Sequence, residues 1–292
     1  MSNKGALYAL ACALCWAIAV ILFRRSSERM SPLALNLFKN LVGLALLVAT
    51  LPFTIVPPKA SWLSQDTLWL MLSGLVGIGI ADTLFFYSLR ILGASRQALV
   101  DCLYAPMVVV CSHLMLNERL SSQQLLGGLA VAVAVLVADQ PARPIGNSGS
   151  TRRGVAIGAI AIALMAIAIV AVKPQIERLP LVWSTTVRLA GGVFGLLGQL
   201  LIGRRPALLL EAIRPQAAWA FALPGALLGT YLALLFWIGG FKYTAASIAG
   251  ILNQTSTLFI VVLAVAVLKE PFSRRLATAL LLGLAGAIAV VA

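Results

Sequence analysis

The sequence predicts an all-α membrane protein of ten transmembrane helices, arranged as two inverted five-helix repeats. Three observations carry that prediction. Of 292 residues, 61% are hydrophobic and 11% charged, too few charges to coat a soluble globule of this size. Apolar runs of roughly 20 residues, the length that crosses a hydrocarbon core about 30 Å thick, follow one another with short gaps. Polar landmarks of the first half also recur 152 positions later in the second.

The runs fall at about 5–23, 33–52, 67–89, 94–116, 122–138, 154–172, 181–202, 217–239, 245–268 and 274–292. Lys4 precedes the first run. No small-residue cleavage site followed by a soluble domain comes after it, so it reads as a span and not as a cleavable signal. Breakers sit between runs: Ser31-Pro32 before the second, Pro57-Pro58 after it, Arg204-Arg205-Pro206 after the seventh. The polar, Pro/Gly/Ser-rich segment from Gln140 to Ser150 is the strongest linker. It divides the chain into a first repeat over 1–139, a linker over 140–152 and a second repeat over 153–292. The spans leave no room for a soluble catalytic domain.

Shifting the second half back by 152 positions puts Ala246-Ser247 on Ala94-Ser95, Val261-Val262 on Val109-Val110, Glu270 on Glu118 and Ser273 on Ser121. Lys242 meets Arg90, and Asn253 meets Asp101. A shift of 149 places Arg188 on Lys39 and Leu181 on Pro32. Five spans is an odd number, so the second copy enters the membrane from the opposite side. The expected symmetry is a pseudo-two-fold axis in the membrane plane, an arrangement that gives two equivalent states open to opposite sides.

Charge narrows the function. The formal net charge is +13, but the cations lie in short loops between apolar runs. That is the pattern of orientation signals and anionic headgroups. With no basic run interleaved with aromatics on a soluble surface, nucleic acid is excluded as a partner. Cys12 and Cys15 have CxxC spacing, yet they share one apolar run with no second pair or His cluster to complete a metal site. His113 is the lone histidine. Neither a metal nor a cofactor is expected. The chain has no HExxH or GxSxG motif, which argues against an enzyme.

Function is sought where polar side chains interrupt the apolar runs, because a charge at the bilayer centre costs at least about 2.5 kcal/mol. Asn36, Lys39, Asn40 and Gly43 form one helical stripe in the second span. Asp82 lies in the third span, and Gln97, Asp101 and Tyr104 form a stripe in the fourth. Arg188 lies in the seventh, with Asn253 and Gln254 in the ninth. In a cavity between the repeats, Lys39 and Arg188 offer positive charge to a carboxylate or phosphate. Asp82 and Asp101 bind an amine or carry a proton. Trp16, Tyr104, Tyr231 and Trp237 supply amphipathic walls. The structural alternative pairs Lys39 with an aspartate as a fixed bridge and lets both cations snorkel. Glu118 and Glu270 end matched phrases and are expected to cap the next helix or pair with a cation. Gly74, Gly77 and Gly79 are expected to serve close helix packing.

These phrases resemble the EamA family of the drug/metabolite transporter superfamily over nearly the whole chain. The resemblance rests on Ala94-Ser95, Pro106, Leu116–Glu118 and Gly127-Gly128, and again on Ala246-Ser247, Leu268–Glu270 and Gly283. Leu258 stands where the first half has Pro106. Lys39 and Arg188 match a basic residue in each module's second helix. The resemblance implies ten helices, a central cavity, and export of amino acids or related metabolites, from a bacterial inner membrane. Expected partners are a small-molecule substrate, membrane lipids and protons as coupling ion, in a monomer or homodimer. A lipid-linked sugar or polar-lipid translocator and a non-transporting scaffold or sensor remain as alternatives.

The resemblance also implies cytoplasmic termini, and the loop charges oppose this. With the N-terminus inside, the cytoplasmic loops hold about six cations and the opposite side about fourteen. The positive-inside rule places both termini outside.

Overall fold

The computed structural model describes residues 3–56, 64–116, 148–204, 206–214, 216–244, 246–271 and 273–289, together with Ser122, Leu126, Leu129, Ala130 and Val133. The described residues are helical throughout, joined by turns and short loops. Backbone polar groups in lipid must be satisfied within the chain, and helices do this segment by segment. Most of the expected fifth span at 122–138 and most of the linker lie outside the described residues.

Helix α1 runs over Asn3–Ser26 and α2 over Pro32–Thr50. Ser31 caps α2 by accepting from Ala34 N, and Pro32 opens its first turn. The third apolar run is one rod in three parts: α3 (Gln65–Gly74), a π-helical segment (Leu75–Ala81) and α4 (Asp82–Leu92). Gly93, at φ +79°, turns the chain into α5 (Ala94–Asp101), and α6 follows (Tyr104–Leu116). The break between α5 and α6 has a cause in the sequence. Pro106 has no N–H to bond Cys102 O, and Cys102 N and Leu103 N tighten onto Leu99 O and Val100 O instead.

The second half holds α7 (Ser148–Val170), a short α8 (Lys173–Arg178), α9 (Leu181–Ile202) and α10 (Pro206–Ile213). It continues with α11 (Trp219–Ala226), a second π segment (Leu227–Leu232) and α12 (Ala233–Tyr243). Helices α13 (Ala246–Leu268) and α14 (Arg274–Ala289) complete it. Where the first half breaks at Pro106, α13 has Leu258 and runs unbroken. The two π segments begin 152 positions apart, the same shift as the polar landmarks. Among the described residues, seven helical rods are long and apolar enough to cross a membrane, and α13 adds an apolar stretch over Thr255–Leu268.

Packing crosses between the halves. Helix α1 lies along α12 and α13, while α7 lies along α4 and α6. Helix α9 packs on α3 and its π segment, and α2 packs on α11 and the other π segment. The α3–α9 contact is backbone to backbone. A Cβ on Gly74 would lie 1.7 Å from Arg188 O, and one on Gly191 would lie 2.1 Å from Met71 O.

Polar contacts sort the helix ends onto two faces. On the first, Gly5 abuts Tyr243 and Thr244. There Lys242 Nζ donates to the carbonyls of Ile176, Glu177 and Leu179, and Arg178 pairs with Asp66. On the second, Arg25 donates to Val267 O, and Glu211 accepts from the backbone and hydroxyl of Ser31. Glu270 accepts there from Ala94 N and Ser95 N. Lys269, at φ +55°, ends α13, and Glu270 N folds back to bond Ala264 O. Glu270 therefore does cap a helix, but the helix is α5 of the other half and not the next one in the chain. Glu118 lies outside the described residues.

Candidate functional site

The polar residues of the spans converge at one depth. Lys39 is the eighth residue of α2, counted from the second face, and Arg188 the eighth of α9, counted from the first. Asp101 and Asn253 are likewise eighth in α5 and α13, again from opposite faces. At 1.5 Å per residue, each sits roughly 10 Å along its helix, well inside a hydrocarbon core.

A cavity of about 150 Å³ lies among them. It is lined by Trp16, Lys39, Asp82, Asp101, Tyr104, Arg188, Trp237 and Asn253 of the predicted residues. Asn36 and Tyr231 do not line it. The Asn36 carboxamide bonds Ile78 O, Thr83 and Asn40, so it braces the wall from behind. The Tyr231 hydroxyl bonds Thr50 at 2.8 Å. The Gln254 side chain lies outside the described residues. Sequence reasoning missed Cys12, Phe85, Met165, Gly229 and Thr230, which also line the cavity, while Ser256, a polar residue of the ninth run beside Asn253 and Gln254, lines it too. A signal for several was present. Phe85 is 152 positions before Trp237, Ser256 is 152 after Tyr104, and Met165 is 149 after Trp16.

The lining is thus pairwise, one member from each half, but the chemistry of the pairs differs. Lys39, 3% exposed, donates to Asp82 at 2.7 Å and to Asn40 at 3.0 Å, and lies 5.6 Å from the Phe86 ring centre. Lys39 and Asp82 therefore form the fixed bridge that the structural alternative anticipated, with Asp82 at the cavity edge. Arg188, 1% exposed, has no such partner. Its Nε donates to Ser73 at 2.9 Å, its guanidinium stacks 5.1 Å from the Trp237 ring centre, and its Nη1 has no hydrogen-bond partner. Among the described residues no carboxylate lies within ion-pair distance of Arg188. Asp101 stands at the α5–α6 break and accepts from Gln97 Nε2 at 2.9 Å.

Other polar atoms of cavity-lining residues are buried without partners: Tyr104 Oη, Thr230 Oγ1 and both amide atoms of Asn253. Buried polar groups in native proteins are overwhelmingly bonded, to protein or to something else. The aromatic walls are Trp16 against Phe85, rings 5.7 Å apart, and Tyr104 against Trp237 at 6.3 Å. The described residues hold no group of three or more potential metal ligands.

A bundle of apolar rods around a mid-depth, largely apolar cavity with a few charged and amide side chains in its lining defines a multi-pass integral membrane protein. The model of the EamA-like transporter family matches residues 3–138 and again 152–292, and the chain belongs to that family, within the drug/metabolite transporter superfamily. A search of curated protein sequences matches none. A crystal structure of a protein 18% identical in sequence aligns with a TM-score of 0.70, over 99% of this chain and 96% of its own. That likeness is one of fold.

Proposed function

We propose that the protein is a secondary transporter that exports a small metabolite, such as an amino acid or related compound, by alternating access through the central cavity. The observation that carries this reading is the cavity itself, at mid-depth, lined pairwise by the two halves and rimmed with unsatisfied polar atoms. Ten helices in two inverted repeats complete the proposal, each half supplying the conformation the other leaves. The matched π segments, the 152-residue shift and the crossed packing support it. The sequence has no nucleotide-binding motif, so the energy source is a proton gradient, exchange or the substrate's own gradient.

The chain is assigned to a bacterial inner membrane. Described cations divide unequally between the faces. Lys4, Lys173, Arg178 and Lys242 lie on the first, against Arg24, Arg25, Arg29, Arg90, Arg96, Arg152, Arg153, Arg204, Arg214, Lys269 and Arg274 on the second. The positive-inside rule then puts the second face in the cytoplasm and both termini outside. A reporter fused after residue 292 checks this, and cytoplasmic activity would reverse the assignment. Transport is checked with purified protein in proteoliposomes and a panel of amino acids, amines, nucleosides and carboxylic acids, with and without a pH gradient. Counterflow of at least one solute is expected. If none moves under either condition, the transporter reading fails.

A further inference from the structure

We infer that the ligand of the central cavity carries a carboxylate, which takes for Arg188 the place that Asp82 takes for Lys39. This rests on the cavity being the transport site. The argument is one of broken symmetry. Lys39 and Arg188 occupy matching places in α2 and α9, at the same depth from opposite faces. Their surroundings match as well. Each cation lies over an aromatic ring, Phe86 or Trp237. Each lies on a helix packed against the other half's π segment, α9 against Leu75–Ala81 and α2 against Leu227–Leu232, and Gly77 and its mate Gly229 both line the cavity.

What differs is the third member of each set. Asp82 bonds Lys39 at 2.7 Å. The residue 152 positions later, in the matching rod and also lining the cavity, is Leu234. Among the described residues the second half therefore keeps the buried cation with no carboxylate in ion-pair reach, the charge of Asp82 acting on it only from beyond that distance. Arg188 Nη1 is left without a partner in a site that also holds unpartnered Tyr104 Oη and Asn253 amide atoms. A planar guanidinium with free donors matches a carboxylate, which bonds it in two places. The cavity has room for roughly ten waters, or a ligand of about that many non-hydrogen atoms. The aromatic walls fit an apolar body attached to that carboxylate.

The test uses the unaltered protein first. Binding to purified protein in nanodiscs is measured by calorimetry for 3-phenylpropanoate, its carboxamide, 3-phenylpropylamine and 2-phenylethylphosphonate. The acid is expected to bind, with the neutral amide and the amine weaker by about 10–100-fold. Amide or amine binding within threefold of the acid overturns the inference, as does a preference for the phosphonate. If no compound in this series binds while the proteoliposome panel still shows counterflow, the inference falls and the transporter reading stands. Leu234→Asp then supplies the missing counter-ion from within. It should abolish binding of 3-phenylpropanoate while leaving the thermal midpoint unchanged or higher. Binding that survives in a folded Leu234→Asp protein overturns the inference independently.

Discussion

The two halves of the molecule share a skeleton and treat their buried polar residues in opposite ways. In the first half the residues around Lys39 bond one another, although Tyr104 Oη stays open. Lys39 holds Asp82 and Asn40, Asn40 holds Asn36, and Asn36 reaches Thr83 and Ile78 O. In the second half Arg188 Nη1, Thr230 Oγ1 and the Asn253 amide are left open. The closed network resembles scaffold: its members satisfy each other and fix the crossing of α2 with the third rod. The open set resembles a receptor, since its donors and acceptors gain partners only when something enters. Symmetry of backbone thus coexists with a division of labour between side chains.

Breaking the closed network should cost most. Asp82→Asn leaves Lys39 buried without a counter-charge, and removing one partner of such a pair costs about 3–5 kcal/mol. Thermal unfolding in detergent should show a large drop for Asp82→Asn, mostly recovered when Lys39→Met is added. Arg188→Met, on the open side, should cost less than Asp82→Asn, because the loss is one hydrogen bond and not a counter-ion. An equal loss in both would erase the distinction between the halves.

The glycine contacts come next. Gly191→Ala drives a methyl onto Met71 O, and overpacking of this kind costs about 1–3 kcal/mol. Gly198→Ala, on the same helix with nothing within 4 Å of the added methyl, should be neutral or stabilising by up to about 1 kcal/mol. The pair is compared by the same unfolding measurement. Glu270→Ala removes the acceptor from Ala94 N and Ser95 N and should cost about 1–2 kcal/mol, typical of a lost helix cap. Smallest of all, Arg178→Ala breaks an ion pair whose side chains are 63% and 34% exposed, and should change stability by less than about 1 kcal/mol.

Much of this was legible in the sequence because a membrane penalises polar atoms. Lys39, Asp82, Asp101, Arg188 and Asn253 stand out against apolar runs, and all five line the cavity. The same reasoning could not separate Asn36 from Lys39, since both lie on one stripe. Which of the two reaches the cavity is decided by Ile78 O and Thr83 on a neighbouring rod. Phe85 and Met165 carry no polar signal and were found only by their place in the fold. The short helices α8 and α10 lie in segments read from the sequence as connections between spans. The π segments were invisible for a different reason. Leu75–Ala81 reads Leu-Val-Gly-Ile-Gly-Ile-Ala, a composition that says nothing about which carbonyl each N–H will choose.

Those π segments also bear on how the rods can move. A turn closed i→i+5 holds one residue more than a turn closed i→i+4, so each marks the place of an extra residue in its rod. The two begin 152 positions apart, in rods that now cross the bundle in opposite directions. Each half thus carries the same loosened turn at the same place beside the cavity, at Gly77 in one rod and Gly229 in the other. A helix whose carbonyls have two possible N–H partners can shift by a residue without losing a bond, so the third rods are where the two halves can slide on each other at least cost.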